Sequence, residues 1–403
     1  MASFAASISG SVACRDGSNE KDAGPVSPLG FLSTGEETGF ARADEPRVYA
    51  FPADHGPHPG FRSEWWYFTG VLRARSAAGA APREFGYQVT FFRQALAPAV
   101  APSASAWRAR DTYMAHFALS ALDEGPRGGN PATSPFRAAE RFARAGNALA
   151  GAEASPFAVW TDDWRVDEVG AGRWRVRARA EGMAVDLRLS LAESRGLILQ
   201  GPGGLSRKGP APGQASYYHS WTRIPTEGTV TLEGRSLGTS SGGGGADAVP
   251  VEGLTWLDRE WSTAPLAQGV SGWDWMGLSL TDGRDLMLYV LRDEHGSPIA
   301  QSCATVIGPD RIAHLYGPDA FHAKAKGTWT SPASGVRYPA QFEVDLPSAS
   351  LSLTITPRRP DQELRLAVRY WEGAVGVTGT SKGQPVRGEG YLELTGYEVP
   401  RTK

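Results

Sequence analysis

Cysteine is nearly missing from this 403-residue chain: only Cys14 and Cys303 occur, and neither sits in a CxxC or other metal-ligand spacing. That excludes a disulfide scaffold and a zinc–cysteine centre as organising principles. Charge of one sign is missing too, with 41 Lys and Arg against 43 Asp and Glu, well mixed. No long-range field therefore draws the chain to phosphate backbones or anionic lipid, and nucleic acid is not an expected partner. No run approaches the roughly 20 apolar residues that cross a bilayer as a helix, which leaves at most peripheral membrane association. Helical periodicity is scarce and confined to a short stretch, Ala138 to Ala145.

What is abundant points the other way. Forty-nine Gly and 29 Pro stand beside 13 Trp, a mixture that describes many strands joined by tight turns around a bulky aromatic core. Hydrophobic content of 41% against 21% charged argues against disorder. The length exceeds one typical core, so two β domains are expected.

Residues 1–45 mix Gly, Ser, Pro and charges without periodicity and read as a leader or N-terminal wrap. Ala13-Cys14 faintly resembles a lipoprotein processing site, but no Lys or Arg precedes Arg15, so a signal peptide's positive n-region is missing. Strands are expected at Trp65 to Leu72, Phe85 to Phe92, Tyr113 to Leu119, Phe157 to Trp164, Trp174 to Ala180 and Val185 to Leu191. The last two alternate apolar and charged residues, as strands with one wet face do. The run TSSGGGGA at Thr239 to Ala246 has the composition of a linker or loop tip. After it, Leu278 to Leu280 and Leu286 to Leu291 flank the hairpin signal Asp282-Gly283. Further strands fit Ile312 to Leu315, Ala340 to Val344, Leu351 to Ile355, Leu364 to Tyr370 and Tyr391 to Leu394. The expected organisation is an N-terminal lipocalin-like domain at 46–238, a Gly/Ser-rich loop at 239–252 and a C-terminal domain at 253–403. The fold class is all-β, with two tandem antiparallel barrels or sandwiches.

Four clusters concentrate the chemistry: DHGPHPGFRSEWWY at Asp54 to Tyr67, YYHSWTR at Tyr217 to Arg223, WLDREW at Trp256 to Trp261, and WDW at Trp273 to Trp275. On a strand, alternate residues share a face, so His219 sits with Trp221, and Trp256 with Asp258 and Glu260. An aspartate beside indoles is poorly solvated, which raises its pKa and lets it act as a general acid. A histidine opposite it would take a proton from water. Indole faces stabilise a carbocation by about 0.5–2 kcal/mol each. The bland alternative is an ion-paired strand end at Asp258-Arg259-Glu260 and a satisfied core histidine at 219. In the first cluster, Gly56, Pro57, Pro59 and Gly60 impose turns, so an Arg62–Glu64 pair is expected there in preference to a metal site on His55 and His58. Gly238 to Gly242 satisfies GxSxG but has no strand before it or helix after it to form a nucleophile elbow. Glu372, beside Trp371, is a further acid candidate.

With these segments in view, the chain resembles the carotenoid 1,2-hydratase (hydroxyneurosporene synthase) superfamily. The resemblance is carried by FPADHGPHPGFRSEWWYFTG, EFGYQVTFFR, YMAHFALS, LQGPGGLSRKG, ASYYHSWTRI, TWLDREWST, GWDWMGLSLTDGRDLMLYVLR, DQEL, YWEGAV and GYLELTGY, in the expected order from Gly39 to Tyr397. It implies tandem lipocalin-like domains and, for the hydratases, cofactor-independent addition of water to a terminal isoprenoid double bond. It also implies essential residues in a His-x-Trp and an aromatic-x-Asp segment, here His219 and Trp221, then Trp256 and Asp258. Trp256 departs from the Tyr expected of a carotenoid hydratase, and many relatives carry another aromatic in place of His219. The superfamily also holds predicted secreted hydrolases and fungal pericyclases, and it suggests a cell-envelope, exported or membrane-peripheral location, with a cytoplasmic one as the alternative because no clear signal peptide is present.

The expected function is hydration of an isoprenoid-like alkene without a cofactor. Asp258 would be the acid and His219 the base; Trp221, Trp256, Trp273 and Trp275 would shield the cation, and Tyr217 or Tyr218 would orient the water. A polyene cyclase or pericyclase, a lipid carrier and a hydrolase are the alternatives, all taking a hydrophobic small molecule as partner.

Overall fold

The computed structural model describes residues 37–75, 83–99, 109–123, 135–146, 148–233, 248–264, 266–267 and 269–397. Cys14 and the GxSxG match at 238–242 lie outside the described residues. Two antiparallel sheets and a few single 3-10 turns make up the described structure.

The first sheet takes the first thirteen strands in chain order. They are β1 (Ser63–Ala74), β2 (Glu84–Ala95), β3 (Asp111–Ala121), β4 (Phe136–Arg144), β5 (Ala150–Ala154), β6 (Phe157–Thr161) and β7 (Trp164–Gly170). Next come β8 (Arg173–Ala180), β9 (Met183–Ser190), β10 (Leu197–Leu199), β11 (Leu205–Arg207), β12 (Ala215–Leu232) and β13 (Val249–Ser262). Their order is β4-β3-β2-β1-β13-β12-β9-β8-β7-β6-β5, with β10 and β11 added along β12. The β5–β6 edge comes back against β2, β3 and β4, so the sheet curls into a nearly closed barrel.

The second sheet takes the last ten. They are β14 (Val270–Leu280), β15 (Asp285–Asp293), β16 (Cys303–Ile307), β17 (Ala313–Tyr316) and β18 (His322–Thr330). Then follow β19 (Arg337–Leu346), β20 (Leu351–Pro357), β21 (Glu363–Arg365), β22 (Arg369–Ser381) and β23 (Gln384–Leu394). The expected hairpin forms between β14 and β15, where Gly283 takes a φ of +86° and the Asp282 carboxylate accepts the Arg284 backbone N–H at 3.0 Å.

Two expectations change. Of Ala138 to Ala145, all but Ala145 belong to strand β4, paired along its length with β3. Its Ala, Arg and Glu content favours a helix, but edge pairing satisfies the backbone and tertiary context overrides propensity. The strand after the Gly/Ser run, β13, lies between β1 and β12, so by sheet membership the second half begins at Val270 and not at 253. The Gly/Ser run at 239–246 lies outside the described residues.

Each sheet encloses its own core. In β1 to β3 the inner face carries Trp66, Phe68, Phe85, Val89, Phe91 and Phe117, packed on Trp164 and Trp174 from the far side. In the second sheet Met276, Leu288, Phe342, Trp371 and Leu392 do the same. The outer faces meet through Tyr67, Trp256, Trp275, Tyr289 and Tyr391. This explains why β1 to β3 are buried nearly throughout, while β8 and β9 alternate: the former have a core on one side and the other sheet on the other.

Candidate active site

Between those outer faces lies a cavity with about 970 Å³ of unfilled space, part of it open to solvent. Trp65, Phe92, Leu266, Trp273, Trp275 and Leu291 supply its apolar walls. Set into them are Asp258 and Glu260 from β13, Glu372 from β22, Glu393 from β23, Lys208, His116 and four tyrosines, Tyr67, Tyr218, Tyr289 and Tyr370.

The strand register puts Asp258 here. On β13 it stands between Tyr67 of β1 and Ser220 of β12, its direct cross-strand neighbours. Its carboxylate accepts hydrogen bonds from the Tyr218 hydroxyl (2.5 Å), the Ser220 hydroxyl (2.5 Å) and the Trp256 indole N–H (2.7 Å). Tyr218 is fixed in turn by the Trp275 indole, which donates to its oxygen at 3.0 Å. Burial pushes the Asp258 pKa up to about 7, with Glu260 adding to the rise, while the three donors restrain it. Desolvation dominates, so a substantial fraction of this carboxyl is neutral near pH 7.

Glu260 accepts from the Ser216 hydroxyl and lies 3.3 Å from the Lys208 amine, which sits 4.0 Å above the Tyr289 ring. Facing them from the second sheet, Glu372 and Glu393 are direct partners across β22 and β23. Burial lifts Glu372 well above the usual carboxylate range, and proximity to Glu393 adds to this. Glu393 keeps some exposure, but to the cavity; its protein walls strip away enough water to push the carboxyl up to about 8. His116 shares a 2.8 Å hydrogen bond with the Tyr370 hydroxyl, and burial lowers its pKa to about 3, so the ring is neutral.

The remaining expected residues divide by parity. Tyr218, Trp273, Trp275 and Asp258 line the cavity. Trp256 lies on the same face behind Asp258, with its indole spent on that carboxylate. His219, Trp221 and Tyr217 point to the opposite face, because Ser220 pairs with Asp258 and His219 therefore pairs with Arg259. His219 is enclosed by Tyr49, Phe51 and Trp261, with ring centroids 5.3, 5.6 and 5.8 Å away, and neither ring nitrogen has a hydrogen-bond partner. Burial drives its pKa well below the ordinary value. Trp221 packs against Phe51 and His55 there, and the Tyr217 hydroxyl donates to the Glu45 carbonyl at 2.9 Å.

On that same side the Arg62–Glu64 pair gives way to a different one. Glu64 is fully buried and is held by Arg93, by Arg259 at 2.9 Å and by His58 at 3.1 Å. Arg259 lies 3.9 Å over the Trp66 ring, and His58 stacks on Trp261 with centroids 3.6 Å apart. This network ties the segment before β1 to β2 and β13.

Sequence reasoning did not find Glu393, Lys208, His116, Tyr67 or Tyr370. A signal existed for Glu393: in YLEL it is the acid between two leucines, hence on the strand face opposite theirs.

Several known proteins are similar to this chain. A family model described as AttH-like matches residues 42–397. An AttH protein of Nitrosomonas europaea, known from its crystal structure, is 35% identical, with a TM-score of 0.71 over 89% of this chain and 100% of that one. Kievitone hydratase of Fusarium solani subsp. phaseoli is 25% identical over 224 residues, 55% of this chain and 59% of that protein, so the match spans less than two thirds of that relative. The crystal structure of kievitone hydratase from Nectria haematococca shares the fold, with a TM-score of 0.62 at 16% identity over 92% of this chain and 98% of that one.

Proposed function

The chain belongs to the AttH-like family, and from that premise we propose that it is a cofactor-independent hydro-lyase adding water to a C=C bond of a hydrophobic, isoprenoid-like small molecule held between the two sheets. The observation that carries this reading is Asp258: a buried carboxyl with a pKa of about 7, oriented by three donors at the edge of an aromatic cavity. The sequence likeness to a hydratase supports the reaction class.

In its neutral form Asp258 donates a proton to one alkene carbon, and the electron pair of the double bond forms the new C–H bond. The adjacent carbon becomes a cation. The faces of Trp273 and Trp275 and the surrounding carboxylates stabilise it. Water adds to that carbon, loses a proton, and leaves an alcohol. His219 takes no part, since the sheet separates it from the cavity.

The test is incubation with a panel of prenylated and polyene alkenes in heavy-oxygen water, followed by mass spectrometry of the products. The expected product gains one water, carries the label, and is absent with Asp258→Asn, whose thermal unfolding stays cooperative. A product of unchanged mass would mean cyclisation instead. Ligand returned unaltered would mean carriage, and wild-type turnover in the Asn variant would remove Asp258 from the chemistry.

A further inference from the structure

Hydration needs a proton acceptor as well as a donor, and the register takes His219 out of that position. Four observations supply another. Glu372 and Glu393 are side by side on β22 and β23 and face the same cavity as Asp258. Glu372 is 2% exposed, and neither of its carboxylate oxygens has a hydrogen-bond partner of normal geometry. The Tyr67 hydroxyl is likewise buried and unpartnered, yet it faces Glu372 closely enough for that carboxylate to oppose its ionisation. Tyr67 is also the cross-strand neighbour of Asp258 on β1.

Burial and their mutual repulsion raise both carboxyls, Glu393 to about 8 and Glu372 further, so the pair holds two protons at neutral pH and, once the first is lost near pH 8, keeps the second. In that singly protonated form the pair has one vacancy for a proton, beside the hydroxyls of Tyr67 and Tyr370. Resting on the hydratase reading above, we propose that the Glu372–Glu393 pair is the base that takes the proton from the attacking water, and that the Tyr67 hydroxyl returns it to Asp258.

Asp258 gives its proton to carbon and becomes a carboxylate. Water bonds to the cation and releases a proton to the Glu pair, which then holds two. One of these passes through the Tyr67 oxygen, which gives its own proton to Asp258 and takes another from Glu372. Asp258 ends neutral, the pair ends with one proton, and the net change is alkene plus water to alcohol.

The charged and titratable groups around the pair are Tyr67, Tyr218, Tyr289, Tyr370, Tyr391, Asp258, Glu260, Lys208 and His116. Of these, only Asp258 and Tyr67 lie on the proposed return path.

The experiment compares wild type with Glu372→Gln, Glu393→Gln, the double variant, Tyr67→Phe and Asp258→Asn. Its readouts are the pH profile of kcat/KM on whichever alkene the wild type hydrates, and the infrared carbonyl band of protonated carboxyls. The double variant is expected to lose about 10²-fold or more in kcat, with loss of the limb assigned to the base and of the pair's share of the band. Tyr67→Phe, which removes one oxygen and no charge, is expected to slow kcat with little change in KM. Wild-type rate and profile in the double variant, with Asp258→Asn inactive, would overturn the base assignment and leave the hydratase reading standing. Full activity in Asp258→Asn would remove Asp258 as the acid and with it the return path through Tyr67, and a wild type that hydrates no alkene would overturn the hydratase reading itself, while the infrared band still reports whether the pair shares a proton.

Discussion

Ser220 stands directly across from Asp258 on the neighbouring antiparallel strand, its hydroxyl 2.5 Å from the carboxylate. This one pairing settles which residues meet. Because side chains alternate along a strand, it sends Tyr218 and Glu260 into the cavity with them, and His219 and Arg259 away from it.

Tyr218→Phe is expected to move the alkaline limb of activity, where Asp258 loses its proton, to higher pH. The Tyr218 hydroxyl is one of the donors holding the Asp258 pKa down, and without it burial acts with less opposition. The remaining acid is weaker, so the rate at the plateau falls as the limb shifts up. A pH–rate profile checks both, and a downward shift would contradict the assignment.

His219→Phe is expected to keep turnover. The imidazole lies in an aromatic enclosure with both nitrogens unpaired, and an unsatisfied buried polar group costs about 1–3 kcal/mol. A phenyl ring removes that cost and preserves most of the packing, so the melting temperature should hold or rise. Loss of activity with the fold intact would restore a chemical role to His219.

Glu64→Gln is expected to destabilise the protein by about 3–5 kcal/mol, the usual consequence of removing one member of a buried ionic network. It leaves Arg93 and Arg259, both buried, short of their shared carboxylate. Chemical denaturation measures the loss, and a change under about 1 kcal/mol would show that the arginines find other partners.

Stability should fall as pH rises from about 4 to 8. The carboxyls of Asp274, Asp258 and Glu393 are raised by burial to about 6, 7 and 8. A group whose folded pKa exceeds its unfolded value binds more protons when folded. Its contribution is therefore complete below the unfolded value and lost as pH climbs through the folded one. Glu64 and Asp54 have lowered values and work in the opposite sense, so their contribution disappears as pH falls through the acid range. Thermal melts across pH should show a maximum on the mildly acidic side, and Glu393→Gln should flatten the alkaline slope.

Much of this was legible in the chain itself, and the limits have definite causes. The all-β class followed from turn-formers and aromatics, and the shared face of Trp256, Asp258 and Glu260 followed from a period of two. The relation of His219 to Asp258 did not. Each strand's own alternation is local, but the phase between two strands depends on register, here set beside the irregularity between Trp221 and Ile224. Lys208 and Tyr67 reach the cavity from separate parts of the first half, and Glu372 and Glu393 from the second. No periodicity connects segments so far apart. The β4 strand was misread because its alanines and charges favour a helix when alone, while pairing with β3 decides its form.

The cavity is walled by the backs of two sheets and not by the inside of one. A barrel's bore is tied to strand number and shear, so resizing it means rebuilding the barrel. A gap between two packed bodies obeys no such constraint. A slight change in the tilt of one sheet against the other, or a single exchange among Trp65, Trp273 and Leu266, resizes it while both cores stay as they are. The same two cores can therefore frame gaps of different girth.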